Sequence, residues 1–132
     1  MAKVLRPSSI AAPAAAYAHG VEVPAGSRLI VTSGVVPTHL DGTTPNDIGE
    51  QAALVWNNIS AILVEGDMSL ADVISVTTYV VASKTLTDDL RVVMRERDAA
   101  LRGVLAASTL VTVPALAKPE WKMEISVIAA RS

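Results

Sequence analysis

The stretch DIGEQAALVWNNISAILVEG, residues 47–66, most constrains what this chain can fold into. Ile48, Ala52, Val55, Ile59 and Ile62 recur at helical spacing, Asn46 or Asp47 can cap the start, and Gly66 ends it. A helix with one apolar stripe needs a flat apolar partner. The only comparable segment is TDDLRVVMRERDAALRG, residues 87–103. There Thr87 suits the N-cap, Asp88 and Asp89 suit the positive end of the dipole, and Gly103 suits the position after the end. Leu90, Val93, Met94 and Leu101 give its stripe, and the charges of RVVMRERDAALR are spaced as a wet face.

The remaining apolar segments have strand character. HGVEVPAGSRLIVTSGVV reads as two strands joined at Pro24-Ala25-Gly26-Ser27, a hairpin-type turn, and PTHLDGTTPND reads as a loop. DVISVTTYVVAS places Ile74, Val76, Thr78 and Val80 on one face, and STLVTVPAL and WKMEISVIAA close the chain. The expected order is β-β-α-β-α-β-β in a single α+β domain spanning residues 1–132. Two helices cover only one face of such a sheet. The other face must meet something, and a second subunit is the simplest candidate.

Composition narrows the function classes. Apolar residues make up 51% of the chain, mostly Ala and Val with no Phe, which suits close sheet and subunit packing. A net charge of −2 with scattered Lys and Arg gives no basic footprint for nucleic acid. Without cysteine there are no disulfides, thiol nucleophiles or thiolate metal sites. Pro7 and Pro13 interrupt the Ala-rich start, so a signal peptide is not expected, and no run is long enough for a membrane helix. The expectation is a soluble cytoplasmic protein.

Few residues can carry chemistry. His19 and His39 are the only histidines and lack metal-ligand spacing, so no metal or cofactor is expected. His39 lies in the polar loop, whereas His19 sits at a strand start near Tyr17. Ser33-Gly34 ends a strand, where the missing side chain allows either a bulge or the close approach of a ligand. No nucleophile elbow surrounds Ser33. Glu124 stands among the apolar residues of KMEISVIA, so it either points to solvent from an edge or lines a cleft. Partial desolvation in a cleft raises a carboxyl toward acid–base work.

The pieces YAHG, LIVTSGVVP, DIGEQAALVWNNISAIL, MSLADVISVTTYVV and ASTLVTVPALAKPEWKMEISVIAA run in order over about nine-tenths of the chain. Together they resemble the reactive intermediate deaminase (RidA/YjgF, or L-PSP endoribonuclease-like) family. The resemblance implies a chorismate mutase-like fold, with a mixed sheet and two helices on one face. It also implies a homotrimer with clefts between subunits, and hydrolysis of small imines or enamines. By position, Tyr17 matches the family's cleft tyrosine and Gly34 its SG glycine. Thr109 matches a position whose backbone lines the site, and Glu124 matches the glutamate associated with the attacking water. His19 and Ser33 join the substrate-binding set by their neighbourhood.

Departures from the family pattern matter as much. Deaminase members carry an arginine where this chain has Ala107, in Leu105-Ala106-Ala107-Ser108. A guanidinium forks onto a substrate carboxylate in a way alanine cannot imitate. Its loss costs on the order of a hundredfold in kcat/KM for an α-imino acid. Met94 stands where an asparagine is common, and Ala15-Ala16-Tyr17 replaces the usual GPY. The implied activity is therefore a deaminase of altered substrate range, with Glu124 and Tyr17 as its catalytic residues, and the alternative is a non-catalytic trimer binding a small ligand or partner. Ribonuclease activity finds neither a basic groove nor a histidine pair.

Overall fold

A computed structural model describes residues 2–132. Strand β1 (Lys3–Leu5) pairs antiparallel with β2 (Gly20–Glu22) as a separate two-stranded ribbon. The main sheet has the order β3-β6-β4-β5, from β3 (Arg28–Val31), β4 (Val73–Val81), β5 (Ala107–Val113) and β6 (Met123–Arg131). Its β3/β6 and β6/β4 pairs are antiparallel, and its β4/β5 pair is parallel. A parallel pair needs a crossover, which α2 (Leu86–Leu101) supplies. Helix α1 (Ile48–Glu65) precedes β4 through a short 3-10 turn, Leu70–Asp72. The fold is thus mixed α+β, with two helices and a mixed sheet.

Both helices pack on one face. Ala52, Val55, Trp56, Ile59 and Leu63 of α1 and Val93 and Leu101 of α2 share a core with Val76 and Val80 of β4. Met123, Ile125, Val127 and Ala129 of β6 complete it. The alternating residues Glu124, Ser126 and Ile128 face the helix-free side, as period-two geometry requires. That side leaves Leu29 57%, Val31 69% and Val111 40% exposed. Among the described residues, no helix is long and apolar enough to cross a membrane.

Five sequence expectations need correction. The element order begins one strand earlier, because β1 supplies a partner for β2. The turn at residues 24–27 forms, with Ser27 N–H donating to Pro24 O at 3.2 Å, yet it joins no hairpin. Its flanking strands pair elsewhere, β2 with β1 and β3 with β6. On α1 the stripe turns to Leu63, leaving Ile62 41% exposed, because 3.6-residue periodicity drifts off a strict three-four pattern. On β4 an irregularity between Val73 and Ser75 shifts the phase, so Val73 takes the buried place expected of Ile74. Helix α2 starts at Leu86 after Thr85, and Thr87 lies inside its first turn. Ser83 and Thr85 instead hydrogen bond to the Asp89 carboxylate, at 3.0 Å and 3.2 Å. The two anticipated α1 ends are as read, with Asp47 accepting from Glu50 N and Gly66 closing the helix.

Candidate functional site

Glu124 lies on β6, a central strand, so the edge location considered from sequence is excluded. Its cross-strand neighbour on β4 is Tyr79, a residue the sequence did not single out. On its other side the chain after β3 bulges. Thr32 N–H donates to Val127 O at 3.0 Å, and Val35 N–H donates to Ile125 O at 2.7 Å. Ser33 and Gly34 therefore stand opposite the single residue Ser126, two against one. Of the readings of Gly34 the bulge is present, and the Glu124 carboxylate fills the space that the missing side chain leaves. A Cβ at Gly34 would fall on Glu124 Oε2. The half-buried Glu124 side chain has no hydrogen-bond or ion-pair partner among the described residues.

The start of β6 is held by Gln51 of α1, which is fully buried. Its Nε2 donates to Pro45 O at 2.8 Å and to Glu120 O at 2.9 Å, and its Oε1 accepts from Lys122 N at 2.9 Å. This places a buried amide two residues before Glu124. Gln51 shows no motif in the sequence; only its place on the inward face of α1 could have drawn notice.

The other expected residues gather at the start of β5. Ala18 bridges Ala107, with Ala18 N–H donating to Ala106 O at 2.9 Å. Tyr17 and His19 flank that bridge. The Tyr17 hydroxyl accepts from Ala14 N at 3.3 Å, and the exposed His19 ring meets Ala11 O through Nε2 at 2.8 Å. Thr109 lies two residues along β5, exposed, in a row with Thr77 and Ser126. Met94 is half-buried on α2, in the helix layer, and its environment differs from that of the open sheet face.

Register separates these groups. Ala107 pairs with Ser75, and Ser75 with Ile128, four residues from Glu124. Two strand spacings and four residue rises put Ala107 and Glu124 roughly 16 Å apart within one chain. A cleft of about 370 Å³ between the β1–β2 ribbon and the sheet end, lined by Val4, Val21, Ile74, Leu105 and Arg131 among others, contains none of the eight expected residues. Among the described residues, no group of three His, Asp or Glu is placed to hold a metal ion.

One charge departs from its expected place. The charge spacing puts Arg97 on the wet face of α2, yet it is 4% exposed and fills the stripe between Val93 and Leu101. Its Nη1 donates to Ser108 Oγ at 3.3 Å, directly after Ala107. The signal was available: residues 93, 97 and 101 share one helical face.

Residues 8–131 match the family model described as "Endoribonuclease L-PSP". The chain is 29% identical over 120 residues to the Escherichia coli K12 protein described as "Putative reactive intermediate deaminase TdcF", covering 88% of this chain and 87% of that one. Among solved structures it is similar to YyfB of Yersinia pestis, a Rid-family protein of unknown function. That match has 27% identity, a TM-score of 0.87 and 98% coverage of each chain. It is also similar to E. coli TdcF with bound serine, at 27% identity, TM-score 0.68, and 98% and 99% coverage.

Proposed function

Because the chain belongs to the endoribonuclease L-PSP (RidA/YjgF) family, we propose that it hydrolyses a small imine or enamine metabolite, using a water positioned by Glu124. The observation that carries this reading is the Glu124 carboxylate, seated over Gly34 on the open sheet face without a partner among the described residues. A general base must reach its proton directly or through one water, and a carboxylate without a partner has both oxygens available for that.

Glu124 takes a proton from water as the water oxygen bonds to the C=N carbon and the C=N π pair moves to nitrogen. That nitrogen takes up a proton. The hydroxyl proton then passes through Glu124 to the same nitrogen, the carbonyl forms as the C–N bond breaks, and ammonia leaves. Tyr17 contributes its ring and hydroxyl to the cleft wall, while His19, Ser33, Gly34 and Thr109 surround the substrate; Met94, in the helix layer, stays outside that set. TdcF is described with bound serine, a small amino acid, which supports a ligand of that size here.

The proposed assembly is a chorismate mutase-like homotrimer. Two features support it: the exposed apolar residues Leu29, Val31 and Val111 on the helix-free face, and the roughly 16 Å between Ala107 and Glu124. A distance of that size lets the two groups act on one small molecule only when they come from adjacent subunits. Ala107 in place of the carboxylate-binding arginine narrows the expected substrates and favours a second reading, a trimer that binds a small ligand without turnover.

Imines generated in situ by an amino-acid oxidase, followed by their disappearance and ammonia release, test this. Wild-type protein should accelerate hydrolysis of at least one imine, and Glu124→Gln should lower that rate about a hundredfold or more. A wild-type protein inert toward charged and uncharged imines alike would leave the ligand-binding reading.

A further inference from the structure

We propose that the cleft between α1, the last turn of α2 and the 3-10 turn binds a small neutral molecule that carries a carboxamide on an apolar body. This goes beyond the function proposed above and does not rest on it: the cleft lies on the helix side of the sheet, and Glu124 faces the open side. It holds about 480 Å³ and is lined by Trp56 and Ser60 of α1, Ser69 and Leu70 at the turn, and Ala99 and Ala100 of α2, among others. A volume of that order takes a small organic molecule. The small side chains at 60, 69, 99 and 100 keep the cleft open, while the Trp56 indole, Leu70 and Leu101 give it apolar surface.

The Trp56 indole points to a ligand. Trp56 is 3% exposed, and its buried Nε1 has no acceptor among the described residues. An indole N–H only donates, and a buried donor left unpaired carries its full desolvation cost. Phenylalanine would fill this place in the core beside Val55 and Ile59 without that cost. Trp121 Nε1 is likewise unpartnered, but its residue is only half-buried, and Lys118 Nζ already sits over its ring, 5.5 Å from the centroid.

The end of α2 supplies the complementary groups. The last four carbonyls of a helix have no partner within it. Here Asp98 O accepts from Arg102 N–H at 3.1 Å, and Leu101 O accepts from Val104 N–H at 3.0 Å. The carbonyls of Ala99 and Ala100 accept from no backbone N–H beyond the helix among the described residues. The cleft thus brings together one donor and two acceptors, and a carboxamide offers the converse set, one C=O and two N–H groups. A carboxylate has no N–H to give, and the negative end of the α2 dipole opposes it. Arg102 also lines the cleft, but it is exposed, where solvent screens its charge.

The indole N–H resonances in a nitrogen-15 spectrum of the full protein, assigned with Trp56→Phe and Trp121→Phe, read this directly. Benzamide should shift the Trp56 resonance in a saturable way and leave that of Trp121 in place. N,N-dimethylbenzamide, which lacks both N–H groups, and benzoate should each bind at least several-fold more weakly. Trp56→Phe keeps an aromatic ring without the N–H and should weaken benzamide binding, measured calorimetrically, about tenfold. Ser60→Leu fills the cleft from α1 and should abolish binding. An unshifted Trp56 resonance, equal affinity for the three probes, or undiminished binding by either folded variant would each overturn the inference. If Trp56→Phe does not fold, the wild-type spectrum and Ser60→Leu decide it.

Discussion

The β6 end of the open face and the β5 edge are built by different means. Around Glu124 the backbone does the work: a central strand, a two-against-one bulge at Ser33-Gly34, and a buried amide clamp from Gln51. Around Ala107 the strand edge is held by one bridge to Ala18, and Arg97 of α2 reaches only the next residue, Ser108, from the helix-covered face. A ladder fixes direction to within the scatter of strand geometry, whereas a long side chain is fixed only by what packs around it. The acid side is therefore set by the fold itself.

Three substitutions bear on that contrast. The largest effect belongs to Gln51→Leu, which strips partners from Pro45 O, Glu120 O and Lys122 N at once. It should cost about 2–4 kcal/mol, read as a lower midpoint of urea unfolding. A neutral result would mean that the start of β6 is held by its ladder alone.

Gly34→Ala should act on chemistry more than on stability. The added methyl meets the far end of a flexible side chain, so the Glu124 carboxylate turns aside while the core stays intact. Imine hydrolysis should fall about tenfold, with unfolding shifted by less than about 1 kcal/mol. An unchanged rate would separate the carboxylate's position from its function.

Ala107→Arg gives the smallest change, and an upward one. It should raise hydrolysis of 2-iminopropanoate, formed from 2-aminoacrylate, about fivefold, with little effect on an uncharged imine. Equal gains on both would show that the new side chain acts by packing and not by pairing with the carboxylate.

Much of the fold was legible along the chain. Helical spacing located α1 and α2, alternation located β4 and β6, and the surplus of apolar strand over helix implied an open face. Glu124 and Gly34 were legible as candidates because a carboxylate amid an apolar strand and a glycine at a strand end are local anomalies. That they touch was not, since residues 34 and 124 meet only through the β3–β6 register.

What the amino-acid sequence determined by itself is the set of periodic elements and the absence of an arginine at position 107, because both are properties of neighbouring residues. Tertiary structure alone decided that β2 leaves β3 for β1, that Gln51 clamps β6, and that Arg97 lies buried behind β5. Each depends on which surfaces compete for the same partner, and that competition is settled between segments far apart in the chain. A charged residue is written on a helix as solvent-facing by its chemistry. The packing of α2 against the sheet turned this one inward.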